Sequence, residues 1–209
     1  MKRLFQAPVA TLILISAAFA CLLAYQGVDL QRGIELYNAR KYAEAEQALA
    51  QAVQADAGNA RAHEYLGLAR LALGKLGEAE AELSRAQDLA PASDSVKIGL
   101  ARVHLEKQQL DKAEEFLRSA REINKDNPDV PLYSGALKLA RRDYPGAIND
   151  LNDAIARKPD NAPAYYYAGL AYSAMKRPDK MVESFQTFLK LAPNAPESDR
   201  VRSLLRSVQ

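Results

Sequence analysis

The chain has 209 residues, of which 26% are charged and 48% hydrophobic, a balance ordinary for a folded protein. The formal net charge is only +2, and lysine and arginine alternate with glutamate and aspartate, so no concentrated basic face is available for nucleic acid. A single cysteine, Cys21, excludes an internal disulfide framework, and abundant alanine without tryptophan points to an all-α chain.

In chain order, residues 1–25 form the first unit. Lys2 and Arg3 precede an apolar run from Ala7 to Tyr25, broken only by Thr11 and Ser16. Nineteen helical residues reach about 28 Å, close to the hydrocarbon thickness of a bilayer. The positive flank favours an inside N-terminus and an exported remainder. Three readings follow, in this order: an uncleaved signal anchor, a signal peptide cleaved after Ala18-Phe19-Ala20, or a lipoprotein acylated at Cys21. For the last, Ala18 stands where a lipobox carries leucine. All three place the rest of the chain outside the cytoplasm, periplasmic or otherwise extracytoplasmic, and the first-ranked anchor tethers it to the membrane by its N-terminus.

Beyond residue 25 the sequence repeats with a period of 34. A small residue followed twelve positions later by alanine recurs as Gly33/Ala45, Gly67/Ala79, Ala101/Ala113 and Gly135/Ala147; a fifth copy has Gly169 and Met181. A large apolar residue follows four positions on (Leu49, Leu83, Leu117, Leu151, Phe185), then Ala52, Ala86, Ala120, Ala154 and Phe188. This pattern predicts two short helices per copy: an A helix with a small residue at position 8, and a B helix with small residues at 20 and 27 and bulk at 24. Gly74 marks the end of one A helix and Pro178 the start of one B helix. One such pair cannot bury its apolar face alone, so the copies must stack.

On these residues the stretch "ARAHEYLGLARLALGKLGEAEAELSRAQDLAPAS", 60–93, resembles a tetratricopeptide repeat, as do 26–59, 94–127, 128–161 and 162–195. The resemblance implies a right-handed α-solenoid of five helix pairs over 26–195, with a concave groove lined by A helices, and a general role as a protein-binding scaffold. "PESDRVRSLLRSVQ" places Val201, Leu204 and Leu205 at helical spacing, so residues 196–209 are expected to form a capping helix over the bulky Met181 and Phe188.

The histidines, His63 and His104, fall at positions 4 and 11, where the family packs side chains; they read as satisfied core groups. With no His/Cys cluster at metal spacing, no glycine-rich phosphate loop and no nucleophile pattern, the expectation is a non-enzyme without cofactor or metal. In the family, positions 2, 5, 6, 9, 12 and 13 face the groove. Carried over, these give Tyr37 and Asn38; Glu64, Leu68 and Leu71; Ile98, Arg102, Leu105 and Glu106; Leu132 and Leu139; and Tyr166, Tyr167 and Leu170. Such a groove suits an amphipathic helix or extended apolar peptide of another protein, with arginine and tyrosine as anchors. In the tyrosine run of the fifth copy, Tyr165 and Tyr172 are assigned to the core, Tyr166 and Tyr167 to the groove. The carboxylate clamp that chaperone-binding members use for Hsp70 or Hsp90 tails is not matched: the first copy has Leu30 and Ile34 where that clamp needs Lys and Asn. Exported proteins of similar layout assist pilus, secretin or cytochrome-maturation assembly, which makes an envelope scaffold the expected role; the alternative is a self-associating structural protein without a peptide ligand.

Overall fold

The computed structural model describes residues 29–207, all of whose regular elements are helices. The apolar segment 1–25, including Cys21, lies outside the described residues. Among those described, no helix is long and apolar enough to cross a membrane. The described residues divide into two compact units, one ending at Pro91 and the other beginning at Ala92. The first contains α1 (29–38), α2 (Tyr42–Ala55), α3 (Ala60–Ala72) and α4 (Leu76–Leu89). The second contains α5 (Asp94–Glu106), α6 (Leu110–Ile123), α7 (Asp129–Ala140), α8 (Tyr144–Arg157), α9 (Ala162–Ala174), α10 (Pro178–Leu191) and α11 (Ser198–Arg206). Odd-numbered helices up to α9 are the A helices of the repeat, and even-numbered ones the B helices.

Local chemistry sets the helix starts. Asn59, Ser93 and Asp143 cap α3, α5 and α8, their side chains accepting from the amides of Ala62, Val96 and Gly146. Prolines occupy the first turns of α8, α9 and α10, where the missing N–H costs nothing. The A helices all end alike. In each copy the amide at position 16 donates to the carbonyl at position 11: Lys41 to Leu36, Lys75 to Arg70, Gln109 to His104, Asp143 to Lys138, Arg177 to Tyr172. The motif requires positive φ at position 15, which Gly74 supplies at 74°; Arg40, Gln108, Arg142 and Lys176 adopt it with side chains attached.

The small residues work as expected. A methyl group on Gly67 or Gly135 would lie 2.6 Å from Cγ of Leu83 or Leu151, so each glycine lets the A helix press onto the large residue of its own B helix. Ala45, Ala79, Ala113 and Ala147 are fully buried, as are Leu49, Leu83, Leu151 and Phe185. In the second unit the A helices α5, α7 and α9 also touch in succession, and α11 closes the end. Val201 is fully buried with Met181, Phe185 and Phe188, and the buried Ser198 hydroxyl donates to the Ala192 carbonyl at 2.8 Å.

Ion pairs stitch neighbouring helices along their outer edges. In the first unit Arg70 of α3 sits between Glu46 of α2 (3.3 Å) and Glu82 of α4 (2.7 Å), while Lys75 reaches Glu46 at 2.8 Å. The Lys75 hydrogen bond is the main cause holding the Glu46 carboxyl below the ordinary glutamate range; burial opposes it and Arg70 adds to it. In the second unit Arg141, at the end of α7, pairs with both Asp111 and Glu114 of α6.

Candidate partner-binding face

The two histidines are spoken for by structure. His63 is buried, with Nδ1 2.6 Å from a Glu82 oxygen and Nε2 3.2 Å from the Ala57 carbonyl. His104 is buried too, 2.7 Å from Gln109 Oε1 and stacked on Phe116 at 5.3 Å. Among the described residues no group of three or more His, Cys, Asp or Glu could hold a metal ion.

In the second unit the A-helix face carries a row of aromatic and basic side chains. Arg102 of α5 lies over the ring of Tyr133 on α7, 5.2 Å from its centroid. On α9, Tyr167 and Tyr166 have ring centroids 5.5 Å apart, and Tyr166 leans on Phe188 of α10 at 5.4 Å. Burial raises the Tyr167 hydroxyl far above its usual range, with Tyr133 and Glu106 adding to that and Arg102 opposing it; these four groups therefore share one neighbourhood. Burial also raises Tyr166, less strongly. All members of the row, Arg102, Tyr133, Tyr166 and Tyr167, remain partly exposed, as do Leu105, Leu139 and Leu170 beside them, and Glu106 is exposed.

Several sequence-assigned groove residues sit deeper than expected. Leu132 is 2% exposed and packs with Ala147 and Leu151; Ile98 is 4% exposed and packs with Ala120 and Val130. Leu71, at 8%, is also buried. Position 5 of the third and fourth copies and position 12 of the second thus serve the core, and the position-5 residues cluster with both their own B helix and the next A helix. The tyrosine run divides less cleanly than its register suggested. Tyr165 and Tyr172 do pack against the Met181–Phe185–Phe188 cluster, and Tyr165 donates to the Pro159 carbonyl, but Tyr166 joins the same cluster and Tyr167 joins that of Leu132.

In the first unit Tyr37 packs edge-on against Tyr65 at 5.6 Å and beside Tyr42 at 5.5 Å, and Arg61 lies over Tyr65. Glu64 and Leu68 are half-buried and Asn38 is exposed. Sequence reasoning passed over Tyr65 and Tyr133. Both stand at position 6, the register of Tyr167, so the signal was a column of three tyrosines in the repeat alignment.

Helix pairs with this register define a class of helical-repeat, protein-binding folds. The chain belongs to the tetratricopeptide-repeat family: one of its models matches residues 30–94 and 135–196, and another 70–134. No curated protein matches it. Among solved structures it is similar to TTC0263, a thermophilic TPR protein of Thermus thermophilus, with a TM-score of 0.76 at 19% identity over 87% of this chain and 97% of that one. It also resembles the APC/C hetero-tetramer Cut9–Hcn1 (TM-score 0.77, 20% identity, 88% of this chain and 36% of that one). A third likeness is to YrrB, described as a TPR protein with an unusual peptide-binding site (TM-score 0.51, 17% identity, 84% and 90% of the two chains). At these identities the likenesses speak for the fold. Proteins of this family are in general interaction scaffolds that bind other proteins or peptides.

Proposed function

We propose that the chain is an envelope scaffold that binds a peptide or amphipathic helix of another protein on the A-helix face of its second unit, in assembly of an envelope complex. The observation that carries this reading is the row Arg102–Tyr133–Tyr167–Tyr166, set on three successive A helices and still partly open to solvent. Arginine and tyrosine are the side chains that most often anchor an interface, since both offer a large flat surface with a polar end. Placement in the envelope, tethered by the N-terminus, is supported by Lys2, Arg3 and the apolar run 7–25.

A photo-crosslinking amino acid at Tyr133 or Leu170, compared with one at the exposed Gln186 of α10, tests the face in the native host. A second protein captured at the first two sites and not at the third is the expected result. Capture only of further copies of the same chain would instead support self-association, and equal labelling at all three sites would overturn the assignment.

A further inference from the structure

The junction between α6 and α7 departs from the apolar junctions of the same repeat. Position 28 is Val53, Ile155 or Leu189 in the first, fourth and fifth copies, each packed into an apolar cluster, but Arg121 here. The facing position 7 is Leu66, Leu100 or Ala168 in other copies, all buried, but Ser134 here, which is also buried. Arg121 donates to the Ser134 hydroxyl at 3.1 Å, so the serine finds its partner in this side chain. Where the Val53–Leu66 and Ile155–Ala168 junctions close with hydrocarbon, this one opens into a cleft of about 360 Å³ with Leu117 and Leu137 among its walls.

Four cations line the cleft against three carboxylates, two of which are ion-paired. Glu114 binds Arg141 at 2.8 Å, Asp150 binds Lys138 at 2.8 Å, and Asp143 caps α8 through the Gly146 amide. Arg118 and Arg121, one helical turn apart on α6, meet no carboxylate among the described residues. These two guanidiniums without a paired carboxylate outweigh the one carboxylate without a cation, Asp143, and leave the cleft net positive. Set over a concavity with a hydroxyl below, they form a donor set matched to a planar or tetrahedral oxyanion. We infer that this cleft binds an oxyanion, phosphate or carboxylate in chemistry. It lies on the α7 stripe of Ser134, Lys138 and Arg141, a different stripe from that of Tyr133, so it is a second site and does not rest on the tyrosine row.

Calorimetric titration of the full chain with inorganic phosphate, and separately with a short peptide bearing one phosphoserine, tests the inference. Saturable binding of either probe is expected, weakened by added salt and at least about tenfold weaker in Arg118→Gln. Arg118 is exposed and makes no ion pair among the described residues, so that variant probes the ligand alone; Arg121→Gln, which also frees Ser134, is read beside its melting curve. Tighter binding of the peptide identifies a partner's side chain as the source of the anion, and equal binding identifies the free ion. Absence of saturable binding by both probes, or the same affinity in Arg118→Gln as in the parent, would overturn the site.

Discussion

Arg40, Gln108, Arg142 and Lys176 hold φ between 56° and 63°, a region where a Cβ atom costs about 1–2 kcal/mol, while Gly74 holds the same place without that cost. The strain persists because each A helix must turn sharply to lay its B helix alongside, and the paired backbone hydrogen bonds there fix the turn. Glycine also has more freedom to lose on folding, which offsets part of the gain. Arg142→Gly and Lys176→Gly are therefore expected to stabilise by about 0.5–1 kcal/mol each, and Gly74→Ala to destabilise by about 1 kcal/mol, read as shifts in thermal unfolding. Glu46 gives a second residue-scale prediction. Its folded-state carboxyl is depressed below the ordinary value of 4.5, so its contribution is fully present above that value and is lost as pH falls through the lower folded value. Asp94 acts in the same sense: burial pushes its carboxyl up, but hydrogen bonds from Asn127 and Asn124 outweigh it. Melting temperature should fall on acidification below pH 4.5, and Glu46→Gln should fall less steeply while starting lower at neutral pH.

Helix α11 shows what one element contributes. A stack of repeats ends in an apolar face with no following copy, and here that face is Met181, Phe185 and Phe188, covered by a nine-residue amphipathic helix through Val201. Val201→Asp places an unpaired charge in a fully buried site, and about 3 kcal/mol or more of destabilisation is expected, with aggregation as Phe188 becomes exposed. Deleting residues 196–209 should act in the same direction; unchanged melting and solubility of either variant would remove the capping role from α11. The elements themselves were legible in the sequence because the glycine–alanine–leucine spacing is a direct imprint of close helix packing, and such imprints recur every 34 residues. The face was only partly legible. A residue's register tells which stripe of a helix it occupies, but not how far the next A helix overlaps it, and that overlap is what buries Ile98 and Leu132 while leaving Leu105 and Leu139 partly open. The Arg118–Arg121 cleft escaped for the opposite reason: it stands out only when copies are compared with one another, position by position, and not with a family pattern. Tyr133, at the groove-facing position 6, was open to both comparisons.

For the molecule as a whole, the interaction face and the N-terminal segment make one linked claim, since a face in the envelope meets envelope proteins only if residues 1–25 carry the chain across a membrane. Lys2 and Arg3 favour an N-terminus on the cytoplasmic side, and the run from Ala7 to Tyr25 is long enough to span. An alkaline phosphatase reporter fused after Gln209 becomes active only where its disulfides form, outside the cytoplasm. Activity is expected for the intact chain and its loss for Leu14→Arg, because an arginine at the centre of a membrane-spanning segment costs about 2.5–3.5 kcal/mol on insertion. The same fusion separates the three readings of the segment by mass and fractionation. A retained anchor keeps full mass in the membrane pellet, cleavage after Ala20 yields a shorter soluble chain, and lipidation leaves Cys21 as a modified N-terminus in the pellet. An inactive reporter on a soluble, full-mass chain would overturn export, and with it the envelope setting of the proposed partner, while leaving the crosslinking test of the tyrosine face intact.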